Sequence, residues 1–283
     1  MGIRKLFVLI ALVLVAGALW LFHPEKAEHF QVCAAVDSQW GRDALWDDGL
    51  AEVATYESRR VVYGKSRVHE AILITVKEDF SKKFYTKADF PEKTSSFPVL
   101  KLNIVSEIPT DNYTYHYLTS VFVRREDPMS LVKLTVGSQE WCGSTFKVIR
   151  AWETHPRMIF HSYFEGEGGG SYSLEFSTGD LAEDQLLISL RALPFRQGFQ
   201  LKTRILDSIV DNRAPEPSLH DATISVSGQE SIEGRSTWKV DVQRKDLHQS
   251  YWYDRPYPHT LVKLASSDGR ELQLRDVRRR RYW

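Results

Sequence analysis

The reactive side chains of this 283-residue chain come close to several catalytic spacings, and each near-match lacks a part that the chemistry needs. Gly64-Lys65-Ser66 has the ending of a phosphate-binding loop, but the leading glycine is replaced by Arg59 and both flanks read as strand, so a hairpin turn accounts for it. Gly166-Glu167-Gly168-Gly169-Gly170 is followed by a strand pattern, so no helix N-terminus faces a pyrophosphate there. Trp141-Cys142-Gly143-Ser144-Thr145 begins like a redox motif, but Thr145 stands where the second thiol belongs. Ser144 and Lys147 have the spacing of an acyl-transfer pair, which converges only on a helix; on a strand the two face opposite sides.

Metal chemistry fares no better. The nine histidines are scattered, His155 and His161 have no acidic or Cys partner at ligand spacing, and Asp47-Asp48-Gly49 is too short for a calcium loop. No metal, cofactor or catalytic residue is therefore assigned. An enzymatic alternative survives only as a hydrolase assembled in three dimensions from groups such as Asp47, Asp48, His69, Glu70 and His116. Cys33 and Cys142 are the only cysteines. Outside the cytoplasm they could close a loop of roughly a hundred residues, worth about 4 to 5 kcal/mol in the chain-entropy model. The strand-like surroundings favour Cys142 as a small buried hydrophobe instead.

The elements that must position any site are strands. Apolar residues alternate at Val68, Ile72, Ile74, Val76; at Leu100, Leu102, Ile104; at Tyr113, Tyr115, Tyr117, Val121, Val123; and at Val132, Leu134, Val136. The pattern continues at Tyr172, Leu174, Phe176; Phe199, Leu201, Ile205; Trp238, Val240, Val242; and Leu272, Leu274. One apolar face per strand predicts antiparallel sheets. Tyr63-Gly64, the glycines at 166–170, Ser227-Gly228 and Asp268-Gly269 read as hairpin connections. One short helix is expected, with Asp180 as N-cap and Leu186, Leu187, Ile188 and Leu190 before Pro194; a second candidate spans Ser38 to Leu50. The stretch 211–218, with Pro215 and Pro217, is the best internal linker and sub-boundary. Residues 23–49 read as linker and short helix, and 50–283 as the β-rich domain.

Composition sets the outer limits. Apolar residues make up 42% of the chain, enough for a packed core. Basic and acidic side chains number 37 each, which argues against a nucleic-acid binder driven by counterion release. The neutrality is uneven: residues 235–283 carry 12 basic and 6 acidic groups, whereas residues 23–234 carry 23 and 31. Arg278, Arg279, Arg280 and Arg281 concentrate the positive end, as a solvated strand end or a site for an anionic partner. Arg4 and Lys5 precede an uncharged run of 17 residues, Leu6 to Phe22. Residues 1–22 are either an export signal, cleaved after the small residues Ala16-Gly17-Ala18, or a single membrane anchor. Both place the remainder outside the cytoplasm.

From Thr237 the chain runs Thr-Trp-Lys-Val-Asp-Val, then Tyr251-Trp252-Tyr253-Asp254, Pro258-His259-Thr260-Leu261-Val262-Lys263-Leu264 and Asp268-Gly269-Arg270-Glu271-Leu272-Gln273-Leu274. These 45 or so residues resemble the bacterial exported family called domain of unknown function 3108, and look like the periplasmic lipoprotein carriers of the LolA type. The segment Ala51 to Gly143 is similar to bacterial proteins carrying a septum-formation-inhibitor label, whose proper Ser-x-Ser-x-Arg-Arg start is absent here. The first resemblance implies a periplasmic or membrane-anchored protein with a strongly curved antiparallel sheet or open barrel, its concave face covered by helices or filled by an apolar ligand. The combined expectation is a non-enzymatic envelope protein that binds an apolar or amphipathic ligand, such as a lipid or lipoprotein, or an envelope partner. Tyr113, Tyr115, Tyr117, Trp238 and Trp252 are the candidate ligand-binding residues. The alternatives are the hydrolase above and a structural or assembly factor, which would show an exposed apolar patch or a free sheet edge.

Overall fold

A computed structural model describes residues 36–283. The N-terminal segment 1–22 and Cys33 lie outside the described residues. The chain first makes two short helical pieces, α1 (Ser38–Arg42) and a 3₁₀ turn (Ala44–Asp47), in the region expected to hold a helix. A meander of eight strands follows: β1 (Ala51–Val62), β2 (Lys65–Ser81), β3 (Ser96–Pro109), β4 (Thr114–Arg124), β5 (Leu131–Glu140), β6 (Gly143–Arg150), β7 (Arg157–His161) and β8 (Gly169–Ser173). After β9 (Leu181–Ala182) comes an inner helical segment, 183–192, centred on α2 (Leu186–Ser189). A second meander completes the chain: β10 (Gln200–Leu206), β11 (Leu219–Ile232), β12 (Arg235–Arg244), β13 (His248–Asp254), β14 (Leu261–Ser266) and β15 (Glu271–Arg280).

All fifteen strands form one curved, open sheet. Its order is β8-β7-β6-β5-β4-β3-β2-β1-β15-β14-β13-β12-β11-β10-β9, so the two meanders join where β1 pairs antiparallel with β15. Among the described residues only the short β9–β10 pair is parallel. Among the described residues no helix is long and apolar enough to cross a membrane.

The inner face of this sheet holds the main core. Leu100, Leu102, Val121, Val123, Leu134 and Ile149 from the first meander meet Leu201, Ile224, Val240, Val242 and Tyr251 from the second, around Leu186, Ile188 and Leu190 of the inner helix. A four-residue helix has no stability of its own and forms because burial of its apolar side chains holds it there. Its backbone and side chains are tied to both meanders: Gln185 Nε2 donates to the Met129 carbonyl at 3.0 Å, and Tyr253 OH donates to the Leu186 carbonyl at 3.3 Å.

Four local expectations are revised. Val68, Ile72, Ile74 and Val76 alternate on the outer face, the last three with Ala51, Val53 and Tyr282 in a small separate cluster; the inner positions of β2 are Ala71 and Leu73. A bulge in β5 likewise turns Val132 outward, to Phe80 and Val99. Ser227-Gly228 is a bulge inside β11 rather than a hairpin; the turn is Glu233-Gly234, whose φ values of 48° and 79° match the primed turn that suits the twist of paired strands. Asp180 does not cap the helix, because its carboxylate accepts from Ser177 and pairs with Arg204 at 2.7 Å, leaving Gln185 Oε1 to accept from the Ala182 N–H. Cys142 is exposed at the two-residue tip between β5 and β6, so its surroundings are solvent and not core.

The meanders give the molecule two ends. One end, here the mouth, carries the connections 63–64, 110–113, 141–142, 162–168, 207–218, 245–247 and 267–270. The opposite end, the base, carries α1, the start of β1, the end of β15 and the long β2–β3 connection, 82–95.

Candidate functional site

The stretch 207–218 joins β10 to β11 and lies as a strap across the mouth. Groups from the first meander hold it. Arg60 Nη2 of β1 donates to the Val210 carbonyl, and Lys147 Nζ of β6 donates to the carbonyls of Asp211, at 2.8 Å, and Arg213. Asn212 Nδ2 donates to Tyr115 OH at 3.2 Å, and the Ala214 N–H donates to Glu167 Oε2 at 3.0 Å. Prolines 215 and 217 keep the strap extended and remove two donors that no sheet would satisfy.

Between strap and sheet is a cleft of about 370 Å³, within the range of small-molecule sites. Arg60, Lys147 and Arg270 line it together with the carboxylates of Asp207, Asp211, Glu216 and Asp268. Beneath it, sharing Arg60, Ser208, Val210 and Arg270, a cavity of about 120 Å³ runs down to the inner helix. Its walls include Ala71, Ile104, Ile108, Leu187, Leu264 and Leu272, with Tyr117 and Tyr251. The space is thus charged at the mouth and largely apolar at depth.

The three cations differ in how they are neutralised. Arg270 is paired: Nη2 lies 2.5 Å from Glu183 Oε1 and Nε 2.6 Å from Asp268 Oδ2. Burial opposes its charge, but the two carboxylates outweigh that and hold its pKa above the ordinary value. Lys147 is 1% exposed and bonds only to carbonyls. Burial lowers its pKa to about 8, against the attraction of Asp211, Asp184 and Glu167 and with added repulsion from Arg60. Arg60 is half-buried, with its guanidinium 5.5 Å from the Tyr117 ring centre. Neither Lys147 nor Arg60 forms an ion pair among the described residues. Carbonyl oxygens satisfy the donors of both groups, and for Lys147 the carboxylates of Asp211, Asp184 and Glu167 offset part of the burial cost without contact.

At the floor, burial raises the Asp184 pKa, while Ser208 Oγ at 2.5 Å and the Ile209 N–H at 2.9 Å donate to the carboxylate. Burial also lowers the His69 imidazole and pushes the Tyr117 phenol up to about 12. Both groups are therefore neutral near pH 7 and act as polar surface rather than as charges.

The structure brings together some of the sequence-predicted residues. Tyr117 lines the deep cavity, Tyr115 holds the strap through Asn212, and Tyr113 sits at the lip, its hydroxyl 3.2 Å from that of Tyr63. Trp141 continues this lip, its ring centre 6.2 Å from that of Tyr113 and 83% exposed. Trp238 lies away from them, stacked on Phe195 at 6.1 Å on the other meander. Trp252 faces outward between Lys239 and Lys263, each 5.4 Å from its ring, and donates from Nε1 to Glu230. The hydrolase candidates stay apart: Asp47 pairs with Arg125 and Asp48 with Arg279 at the base, Glu70 is exposed, His116 lies 3.5 Å from Glu107 on the outer face, and only His69 reaches the cavity. Among the described residues no group of three His, Cys, Asp or Glu could hold a metal ion. Of the tail arginines, Arg279 is tied to Asp48 at 2.6 Å and Arg278 to Asp276 at 2.8 Å, while Arg280 and Arg281 are exposed.

Sequence reasoning missed Arg60, Lys147, Arg270, Glu183 and Asp184. One signal was available for Lys147. It sits between Thr145 and Ile149 at the inward positions of a strand, where a lysine has no solvent to reach. The others come together only because the strap and the inner helix, distant in sequence, meet over β1.

These features define an open antiparallel sheet wrapped around its own inner helix, with a cleft lined by charges of both signs at one end. In comparison with known proteins the chain matches no family model, no curated protein and no solved structure.

Proposed function

We propose that this is a non-enzymatic binding protein of the bacterial envelope that takes an amphipathic ligand bearing an anionic group into the cleft beneath the 207–218 strap. The observation that carries the reading is that Lys147 and Arg60 line one cleft above a largely apolar cavity and bond to strap carbonyls, with no carboxylate at ion-pair distance from either among the described residues. An anionic headgroup would give Lys147 and Arg60 a direct ionic contact, and a short apolar portion would fill the space beside Ile104, Leu264 and Leu272. The inner helix already occupies most of the concave face, which limits the ligand to a small amphipath or the end of a longer one. The envelope location rests on the basic start and apolar run of residues 1–22 and on the likeness of the last third to an exported family.

Native mass spectrometry of gently purified protein tests this reading. Adducts of acidic amphipaths that disappear in the R60A/K147M variant are expected. Wild-type protein without adducts, and without uptake of added dodecyl phosphate, would refute it.

A further inference from the structure

We infer that the base of the molecule, opposite the cleft, docks on an anionic lipid surface through the β2–β3 loop and the C-terminal strand end. The loop, residues 82–95, carries Lys82, Lys83, Lys87 and Lys93 against Asp89 and Glu92. All four lysines are exposed. Between them stand Phe90, 89% exposed, and Phe84, 64% exposed. Lys83 Nζ lies 4.9 Å from the Phe84 ring centre, so cation and exposed ring stand together on the loop.

The loop is folded, and the fold is what turns the rings outward. Tyr85, next to Phe84, stacks on Trp152 with ring centres 4.5 Å apart and an interplanar angle of 7°, and meets Phe97 edge-on at 5.7 Å. Lys82 Nζ closes the loop by donating to the carbonyls of Lys93, at 3.3 Å, and Thr94, at 3.0 Å. Tyr85 faces in and Phe84 therefore faces out.

A second cationic group adjoins it. Tyr282 packs on the outer cluster of Ala51, Val53 and Val76 and lies 5.7 Å from Lys101 Nζ, which pairs with Glu78 at 2.5 Å; Glu78 in turn lies 4.0 Å from Lys87 of the loop. This contact chain places exposed Arg280, Arg281 and Trp283, 69% exposed, beside the loop. Of the carboxylates at this end, Asp47 is engaged by Arg125 and Lys77, Asp48 by Arg279 and Glu78 by Lys101, while Asp89 and Glu92 of the loop form no ion pair among the described residues. Lys82, Lys83, Lys93, Arg280 and Arg281 form no ion pair among the described residues, five cations against the two loop carboxylates, so the balance on the loop and strand end is positive. Cations interleaved with exposed aromatic rings match a bilayer interface, where the charges meet anionic headgroups and the rings enter the boundary region.

The course of the chain agrees. Residues 36–42 lie at this same end, where the Asp37 N–H donates to the Ala192 carbonyl and Arg125 Nε to the Gly41 carbonyl. Thirteen residues separate Phe22, the end of the apolar run, from Val36. Fully extended they span about 45 Å, so a membrane holding the run lies within reach of the base. Docked in this way, the cleft faces away from the bilayer.

Hydrogen exchange of the full chain mixed with vesicles decides the matter. Amides in 82–95 should exchange about tenfold more slowly on vesicles containing 30% phosphatidylglycerol than on pure phosphatidylcholine, and 0.5 M salt should abolish the difference. K83E/K93E and F84S/F90S should each abolish it too, with exchange in β3 and β4 unchanged as the sign of an intact fold. Equal exchange on the two vesicle types, or protection that survives both double substitutions, would overturn the inference.

Discussion

Arg191 and Glu52 meet fork to fork, Nη1 to Oε1 at 2.8 Å and Nη2 to Oε2 at 2.9 Å, with side chains 4% and 6% exposed. The pair ties the end of the inner helical segment to the first strand of the sheet. Its remaining valences are filled: Thr260 Oγ1 donates to Glu52, Arg191 donates to the Pro258 carbonyl, and the guanidinium lies 5.1 Å and 5.6 Å from the rings of Trp40 and Trp46. Removing one partner leaves a buried charge with nothing to offset it, at a cost of about 3 to 5 kcal/mol. Glu52→Leu and Arg191→Met are each expected to lower the unfolding free energy from urea titration by that amount, and the double variant to recover part of the loss. Additive losses in a double-mutant cycle would show that the two side chains act independently.

Lys147 makes stability depend on pH. Its folded-state pKa of about 8 lies below the ordinary 10.5, so between those values the unfolded chain binds more protons than the folded one. Stability therefore rises with pH across that window, by up to about 3 kcal/mol in full, and the penalty is fully present below pH 8. Asp211, Asp184, Glu167 and Arg60 all act on the group, so the comparison must be made against Lys147→Met, which removes the charge and keeps the stem. Urea midpoints at pH 7 and pH 9.5 should differ more for the wild type than for the variant. Equal differences would count against a depressed lysine.

Two glycines should respond oppositely to alanine. At Gly41 an added Cβ would lie 2.1 Å from the Arg125 carbonyl oxygen, a backbone atom that must move. Gly137, inside β5, has open space at that position. Gly41→Ala is expected to cost about 1 to 3 kcal/mol, while Gly137→Ala is neutral or stabilising by up to about 1 kcal/mol. Thermal unfolding of both variants checks this. A tolerant Gly41 would mean that α1 is not clamped against the β4–β5 connection.

The fold was legible in the sequence where a strand has one wet face. The alternation at Leu100, Leu102, Ile104 and at Trp238, Val240, Val242 marks inward positions correctly. It misleads at Ile72, Ile74 and Val76, because the outer face of β2 is covered by Ala51, Val53 and Tyr282 and both faces of that strand are apolar. Turn chemistry showed the same limit. Gly64 and Gly269 mark hairpins, whereas Gly228 marks a bulge, and local residues alone do not separate the two. Of the candidate site, the tyrosines of β4 were visible as an aromatic stripe. Arg60 and Lys147 were not, since their meaning depends on a strap about 150 and 60 residues away in sequence.

The most direct test of the central reading is calorimetric titration of dodecyl phosphate into wild-type protein and into R60A, K147M and the double variant. Saturable one-to-one binding is expected for the wild type, weakened about tenfold or more by each substitution, since a charge-assisted hydrogen bond is worth about 1.5 to 3 kcal/mol. Absence of binding to the wild type, or equal binding by all four proteins, would contradict the assignment of the cleft beneath the strap as the ligand site.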